Sequence, residues 1–151
     1  MTSNTIPNGT AIASSEEGDA YSYAKFAWKA FDKGANNIYS VWTGSSNLDA
    51  VGGYLGYIFD TPVCIKYMYL NQAQLINQNV PYRWNKFKLQ GSLDGNTWVD
   101  IKELISESDN NFYVIINKVS YKGYRIYCTE SFTNAKQNNL DVYELNFYGR
   151  S

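Results

Sequence analysis

Histidine does not occur in the chain, which removes the nucleophile–histidine pairs of acyl transfer and every histidine-bound zinc site. Two cysteines, Cys64 and Cys128, lie inside apolar, strand-like runs, a setting that suits either two small buried side chains or a cross-strand disulfide. The acidic residues form no facing pair. Asp94 and Asp100 have the settings of a turn residue and a strand-surface residue, and Glu16-Glu17-Asp19 reads as a flexible acidic run. Glycoside hydrolysis needs an acid and a base held across an enclosed cleft, and neither group offers that. What remains is recognition chemistry. Within 74–85, QLINQNVPYRWN, the residues Asn77, Asn79, Tyr82, Arg83 and Trp84 gather amides, a phenol, a guanidinium and an indole in one loop. A guanidinium forks onto vicinal oxygens, amides donate and accept, and an aromatic face stacks on C–H groups. Such a set grips a polar ring without transforming it. A solvated arginine beside a strand-opening core tryptophan would leave the same letters.

Other loops hold isolated large side chains of the same kind. They are 14–23 (SSEEGDAYSY), 44–56 (GSSNLDAVGGYLG) and 131–139 (SFTNAKQNN). From the loops come further candidates, Tyr21, Tyr23, Tyr39, Tyr54 and Phe132, with Asp49 and Asn134 as polar partners. Most of these tyrosines are expected in walls or core, and two or three at most as contacts. Binding groups favour loops carried on a rigid scaffold.

The elements that must position those loops read as strands. Runs rich in Val, Ile, Tyr and Phe fall at 56–60, 63–71, 85–92, 97–104, 111–119, 123–129 and 140–148, separated by turn residues. That spacing predicts an all-β antiparallel sandwich in one domain over 1–151. The stretch LQGSLDGNTW, 89–98, predicts a hairpin with Asp94-Gly95 in a type I′ turn. One short helix is expected at 22–31, where Tyr23, Phe26, Ala27 and Ala30 share a face.

Composition narrows the partners. The 151 residues carry 13 Lys plus Arg against 14 Asp plus Glu, so no basic field draws in nucleic acid or an anionic membrane. The apolar loop residues Leu48, Val51, Leu75 and Ile76 are few and lack adjacent cations, which argues against bilayer insertion. The start, MTSNTIPNGT, has no basic segment followed by an apolar one, so no signal peptide is expected. The expected setting is extracellular, as a module of a longer secreted protein, or a virion surface.

Four pieces stand in order along the chain: KAFD (29–32) with Ser40-Val41-Trp42; GYLGYIFDTPVCI (53–65); LQGSLDGNTW (89–98); and YRIYCTE (124–130) with YELNFYG (143–149). Together they resemble the discoidin superfamily, also called the coagulation-factor C-type or galactose-binding-like domain, which includes carbohydrate-binding modules of bacterial glycosidases. The resemblance implies a jelly-roll sandwich that binds and does not catalyse, with Trp98 packing inside as part of the scaffold rather than touching ligand. It also implies one structural calcium, held by the Lys29 carbonyl, the Asp32 carboxylate, Ser40, the Tyr143 carbonyl and the Glu144 carboxylate. Calcium takes six to eight oxygens of these kinds. The chain departs from the pattern in reading Asp32-Lys33-Gly34 where the family has DGN, and in the inserted Ala35-Asn36-Asn37-Ile38. Those changes would rebuild the site, or abolish it with Lys33 standing in for the ion.

The expected function is a non-catalytic, lectin-like module that tethers a secreted enzyme or virion to a glycan, galactose-type or another cell-surface sugar. Without histidine, a galactose site of the histidine-using kind is not assumed. The competing expectation is a virion structural or adhesion domain (head decoration, neck or tail fibre) working through other virion or host-surface proteins; a phospholipid-binding domain ranks below both.

Overall fold

The computed structural model describes residues 9–16, 26–33, 42–43, 51–72, 84–131 and 141–150. Eight strands account for most of them: β1 (Gly9–Ala13), β2 (Trp42–Thr43), β3 (Tyr54–Gln72), β4 (Trp84–Ser92), β5 (Val99–Ile105), β6 (Asn110–Val114), β7 (Tyr121–Ser131) and β8 (Asp141–Arg150). All pair antiparallel. The long β3 serves two sheets. Its first half, from Tyr54 to Ile58, lies between β1 and β7, and β7 continues to β4 and β5. Its second half, from Cys64 to Gln72, lies between β8 and β6, with β2 beyond β8.

The sequence divides β3 into two strands at Asp60-Thr61-Pro62. The chain instead stays extended through these exposed residues while its register on β7 shifts between Ile58 and Val63. Proline donates no ladder bond, so the crossing between sheets falls where pairing lapses. Tyr124 secures the crossing from the opposite strand. Its hydroxyl donates to the Val63 carbonyl (2.7 Å) and accepts from Asn117 Nδ2 (2.9 Å). β6 stops at Val114, short of the expected 119, and the Asn117 side chain instead bonds both backbone groups of Val119. Local side-chain bonds of this type compete with a ladder.

Alternation places the core. Phe87 and Leu89 of β4, Tyr124, Ile126 and Cys128 of β7, and Leu55 and Tyr57 of β3 point inward from one sheet. Ile65, Met68 and Leu70 of β3, with Leu145 of β8, meet them from the other. Trp42 and Trp84 close one end of the core edge to face, with ring centroids 6.4 Å apart. The helix expected at 22–31 is a single 3-10 turn, Ala27–Phe31, among the described residues; Tyr23 lies outside them. Ala27 and Ala30 are buried beneath it, whereas Phe26 is exposed. Glu16, expected in a flexible acidic run, accepts from the Ala27 amide (2.7 Å) and so fixes the start of this turn.

Cys64 and Cys128 are both free. Cys64 pairs with Arg150 at one end of the sandwich, and Cys128 bonds Gly52 and Gly53 at the other, too far apart to bridge. Burial pushes the Cys128 thiol up to about 12, so it is inert as a nucleophile.

The β4–β5 hairpin does not contain the expected type I′ turn. Gly95 has φ 86°, but Asp94 does not share its positive φ, and the strands stop at Ser92 and Val99. The Asp94 carboxylate organises the longer loop instead. It accepts from the amides of Asn96 (2.8 Å) and Thr97 (2.7 Å) and from the hydroxyls of Ser92 and Thr97. These bonds favour the charged form and hold the Asp94 carboxyl far below the usual carboxylate range. A depressed folded pKa contributes stability above the ordinary value of 3.8 that is lost as pH falls below it. Asp94→Ala is therefore expected to lower the melting temperature at pH 7 and to flatten its decline below about pH 4. Scanning calorimetry across pH checks this; parallel acid limbs for both proteins would show that Asp94 does not organise the loop.

Candidate functional site

The two ends of the sandwich differ in what they carry. At one end sit the Asp94 hairpin, the β3 crossing and the last residues of β8. At the other, the framework residues flanking four undescribed connections meet one another. Ser14 and Tyr54 are bonded backbone to side chain and backbone to backbone, and the Trp42 indole donates to the Ser15 carbonyl (3.0 Å). The Thr43 hydroxyl bonds the Asp141 carboxylate (2.5 Å). Trp84 pairs with Ser131, and its amide donates to Gln72 Oε1 (2.8 Å). Segments 17–25, 44–50, 73–83 and 132–140 therefore all leave the framework at this loop end.

Gln72 is the residue that holds this end in register. Beyond the bond to Trp84, its Nε2 donates to Ser106 Oγ (2.8 Å) and its amide to the Asp109 carbonyl (2.8 Å). Asn111 Nδ2 donates to the same Ser106 oxygen (3.2 Å). These side chains are buried and mutually satisfied, which makes the network rigid. It clamps both stems of 73–83 to the β5–β6 turn. Sequence reasoning passed over Gln72, because a glutamine ending a strand has no local mark of burial.

Of the residues expected to touch ligand, Asn77, Asn79, Tyr82, Arg83, Tyr39, Phe132 and Asn134 lie outside the described residues. Trp84 does not keep its place in the set. It is 0% exposed, packed between Trp42 and Phe87, and forms part of the core. As the first residue of β4 its side chain takes the inward phase shared with Phe87 and Leu89 after the register shift at Asn85, so no stacking face is left. Its Nε1 has no hydrogen-bond partner among the described residues.

Tyr54 stands at the loop end, half-buried, and its ring is engaged. The Arg125 guanidinium lies 4.6 Å from the Tyr54 centroid, 4.4 Å from that of Trp98 and 5.6 Å from that of Tyr127. Arg125 Nε also donates to Gln90 Oε1 (2.7 Å). Gly56 permits this clamp, since a Cβ there would lie 2.5 Å from Arg125 Cβ. Trp98 thus packs on the outer face of the sheet, against a cation, rather than in the core. Of the carboxylates considered for hydrolysis, Asp94 organises the hairpin, Asp100 bonds Lys88 (2.6 Å) and Gln90 (2.7 Å), and Glu16 bonds the Ala27 amide; Glu17 and Asp19 lie outside the described residues.

No protein-family model matches the chain, and no curated protein matches it either. Solved structures do. The module CpGH89CBM32-5 from Clostridium perfringens, in complex with GalNAc-beta-1,3-galactose, has a TM-score of 0.75 at 17% identity over 98% of this chain and 100% of that one. Chitosan-binding module 1 of a chitosanase/glucanase from Paenibacillus sp. IK-5 gives 0.71 at 19% identity, over 97% of this chain and 98% of that one. The family 32 carbohydrate-binding module from Streptococcus pneumoniae EndoD gives 0.71 at 14% identity, over 98% and 100%. The fold is the discoidin, galactose-binding-like jelly roll.

The discoidin fold raises the question of a metal between its first loop and last strand. Glu144 lies on β8 beside a bulge, where Asn71 and Gln72 face Glu144 and Val142 and Tyr143 is the extra residue. Bulges re-aim backbone groups in this way. Glu144 is 8% exposed, and Asn146 Nδ2 donates to its carboxylate (2.8 Å). Burial raises its pKa, and the charge of Asp32 raises it further, whereas Asn146 and Lys33 act in the opposite sense. The two carboxylates expected to share an ion are thus neighbours. Among the described residues no three acidic or cysteine side chains converge, so further oxygens would have to come from carbonyls and hydroxyls, as calcium accepts. By donor chemistry, Asp32, Glu144 and the carbonyls of Lys29 and Tyr143 fit; Ser40 lies outside the described residues. Lys33 has φ 56°, the left-handed conformation that favours the glycine of the family pattern.

Proposed function

We propose that this chain is a non-catalytic carbohydrate-binding module whose ligand contacts lie at the loop end of the sandwich. The observation that carries the reading is the gathering of four connection stems at one end. Asn77, Asn79, Tyr82, Arg83, Phe132 and Asn134 belong to the connections 73–83 and 132–140, whose stems lie at that end beside Tyr54. Related folds were solved with sugars: GalNAc-beta-1,3-galactose, chitotriose and galactose. A guanidinium, amides and aromatic rings suit hydroxyl bonding and C–H stacking. Such a module tethers whatever carries it, a secreted enzyme or a virion, to a polysaccharide or cell-surface glycan. A calcium ion on Asp32 and Glu144 would hold the 3-10 turn to β8, a structural role that leaves sugar chemistry to the loops.

A glycan array followed by calorimetric titration tests this. Arg83→Ala and Tyr82→Ala are each expected to weaken the best ligand by about tenfold or more, the scale of a lost charge-assisted bond or stacking face, with no change in melting temperature. Absence of binding to any sugar at millimolar concentration would overturn the proposal.

A further inference from the structure

The outer face of the β8–β3–β6 sheet, which meets the loop end at the β5–β6 turn, carries a row of aromatic rings that the fold does not use. Phe112 is 62% exposed, Tyr148 47% and Tyr67 44%. Strand pairing explains their grouping: Tyr67 on β3 faces Tyr148 on β8 and Val114 on β6, and Phe112 lies two residues from Val114 on the same face of β6, opposite Tyr69. Phe112 stacks on Tyr67 with centroids 5.5 Å apart and an interplanar angle of 28°, and approaches Tyr148 at 6.4 Å. Cross-strand aromatic pairs stabilise a sheet, yet the core contains none of these rings, and each remains open to solvent.

A depression of about 330 Å³ adjoins the row, lined by Ile105, Glu107, Ser108, Asn110, Phe112 and Tyr113. That is the lower end of the size range of small-ligand sites. Its polar groups are held in place. Asn110 Oδ1 accepts from the Tyr69 hydroxyl (2.8 Å), and the Ser108 hydroxyl donates to the Asn110 carbonyl (2.6 Å). The buried Asn111 side chain accepts from the amides of Glu107 (3.2 Å) and Ser108 (3.4 Å), which fixes the turn that presents them. The Glu107 carboxylate ion-pairs with no described cation. An open ring therefore stands beside a carboxylate, an amide and a hydroxyl on a rigid turn.

We propose that this face is a second carbohydrate-contact surface, in which Phe112 with Tyr67 and Tyr148 packs against the C–H face of a pyranose unit while Glu107 and Asn110 bond its hydroxyls. The hydroxyl and amide held beside the open ring favour a sugar. The exposed parts of the three rings and Val114 amount to roughly 400 Å², taking about 150–250 Å² per aromatic side chain. An apolar platform of that size covers one or two pyranose rings, and the polar share of a protein interface would have to come from outside the row. The free carboxylate further selects a neutral or amino sugar over an acidic one. The inference shares its ligand class with the proposed function but rests on other residues, those of the outer sheet face and the β5–β6 turn. A module with two such surfaces would hold a polymer at both, gaining avidity without a tighter single site.

The test follows backbone amide shifts of the whole protein during titration with neutral, amino and acidic oligosaccharides, for wild type, Phe112→Ala, Phe112→Tyr and Arg83→Ala. The expected result is a saturable shift of residues 105–114 by a neutral or amino sugar, weakened at least tenfold in Phe112→Ala, restored in Phe112→Tyr and retained in Arg83→Ala. Phe112 is exposed, so its truncation is expected to leave the fold intact, which the unchanged remainder of the spectrum would verify. Sugar-induced shifts that spare 105–114 and are equal in Phe112→Ala would overturn the second surface and leave the proposed function standing. A Phe112-dependent dimer in sedimentation velocity, with no sugar shift at 105–114, would also overturn it. Absence of any sugar response anywhere would sink both readings.

Discussion

Replacing Trp84 by alanine is expected to lower the unfolding free energy by about 3–5 kcal/mol, the range for a fully buried large side chain. Trp84 is wholly inaccessible, meets Trp42 edge to face and packs on Phe87 at 5.8 Å, so truncation opens a cavity under the loop stems. Its backbone amide bond to Gln72 survives the change, leaving the loss to packing. Trp84→Phe should be far milder. Phenylalanine keeps most of the apolar contact and removes a buried Nε1 without a described partner, a group whose burial costs about 1–3 kcal/mol. Denaturant titration of both variants measures this directly. A Trp84→Ala protein of wild-type stability would return Trp84 to the surface and to the ligand set.

The second large effect is a change of sign. Glu144 titrates above its ordinary value of 4.5, first because burial strips its hydration and then because Asp32 repels its charge. A native state that binds a proton more tightly than the unfolded chain loses stability as pH rises from the ordinary value through the raised one, and the loss stays constant above it. Without calcium at pH 7, Glu144→Gln is therefore expected to melt at or above the wild-type temperature. The amide keeps an oxygen for the Asn146 donor and discards the buried charge. Binding of the proposed calcium is expected to reverse the order. At a concentration about a hundredfold above its Kd it adds about 2.7 kcal/mol to wild type and little to Glu144→Gln. Thermal melts with chelator and with calcium, at pH 7 and pH 4, decide it. Equal responses of the two proteins to calcium, or no response from wild type, would dispose of the ion.

Several elements were legible locally because they depend on period-two alternation. β4, β5, β7 and β8 appear within a few residues of their expected places, since Val, Ile, Tyr and Phe alternate with polar residues along each. β1 and β2 escaped notice for the opposite reason. GTAIA is built largely of small side chains, and Trp42-Thr43 is too short to show a period, so both exist through their partners β3 and β8. The type I′ turn failed on one carboxylate. Asp94-Gly95 is a strong local signal, but Asp94 finds two amides and two hydroxyls within its own loop, and those bonds outweigh the dipeptide's preference.

The same division runs through the candidate sites. Residue types alone excluded histidine chemistry, left no basic field for nucleic acid and ordered the motifs that mark a jelly roll. Which side of a strand a residue faces could not be read at a bulge, because one extra residue inverts the phase. That is why Trp84 turned inward beside the Asn85 shift, whereas the interaction of Glu144 with Asp32 was already expected from the family resemblance. The clamp of Arg125 between Tyr54 and Trp98, the Gln72 tie beneath 73–83 and the aromatic row on β3, β6 and β8 likewise came only from packing. Composition and alternation act within a strand, whereas register, bulges and sheet crossing join residues far apart in the chain. Only the tertiary structure decides those.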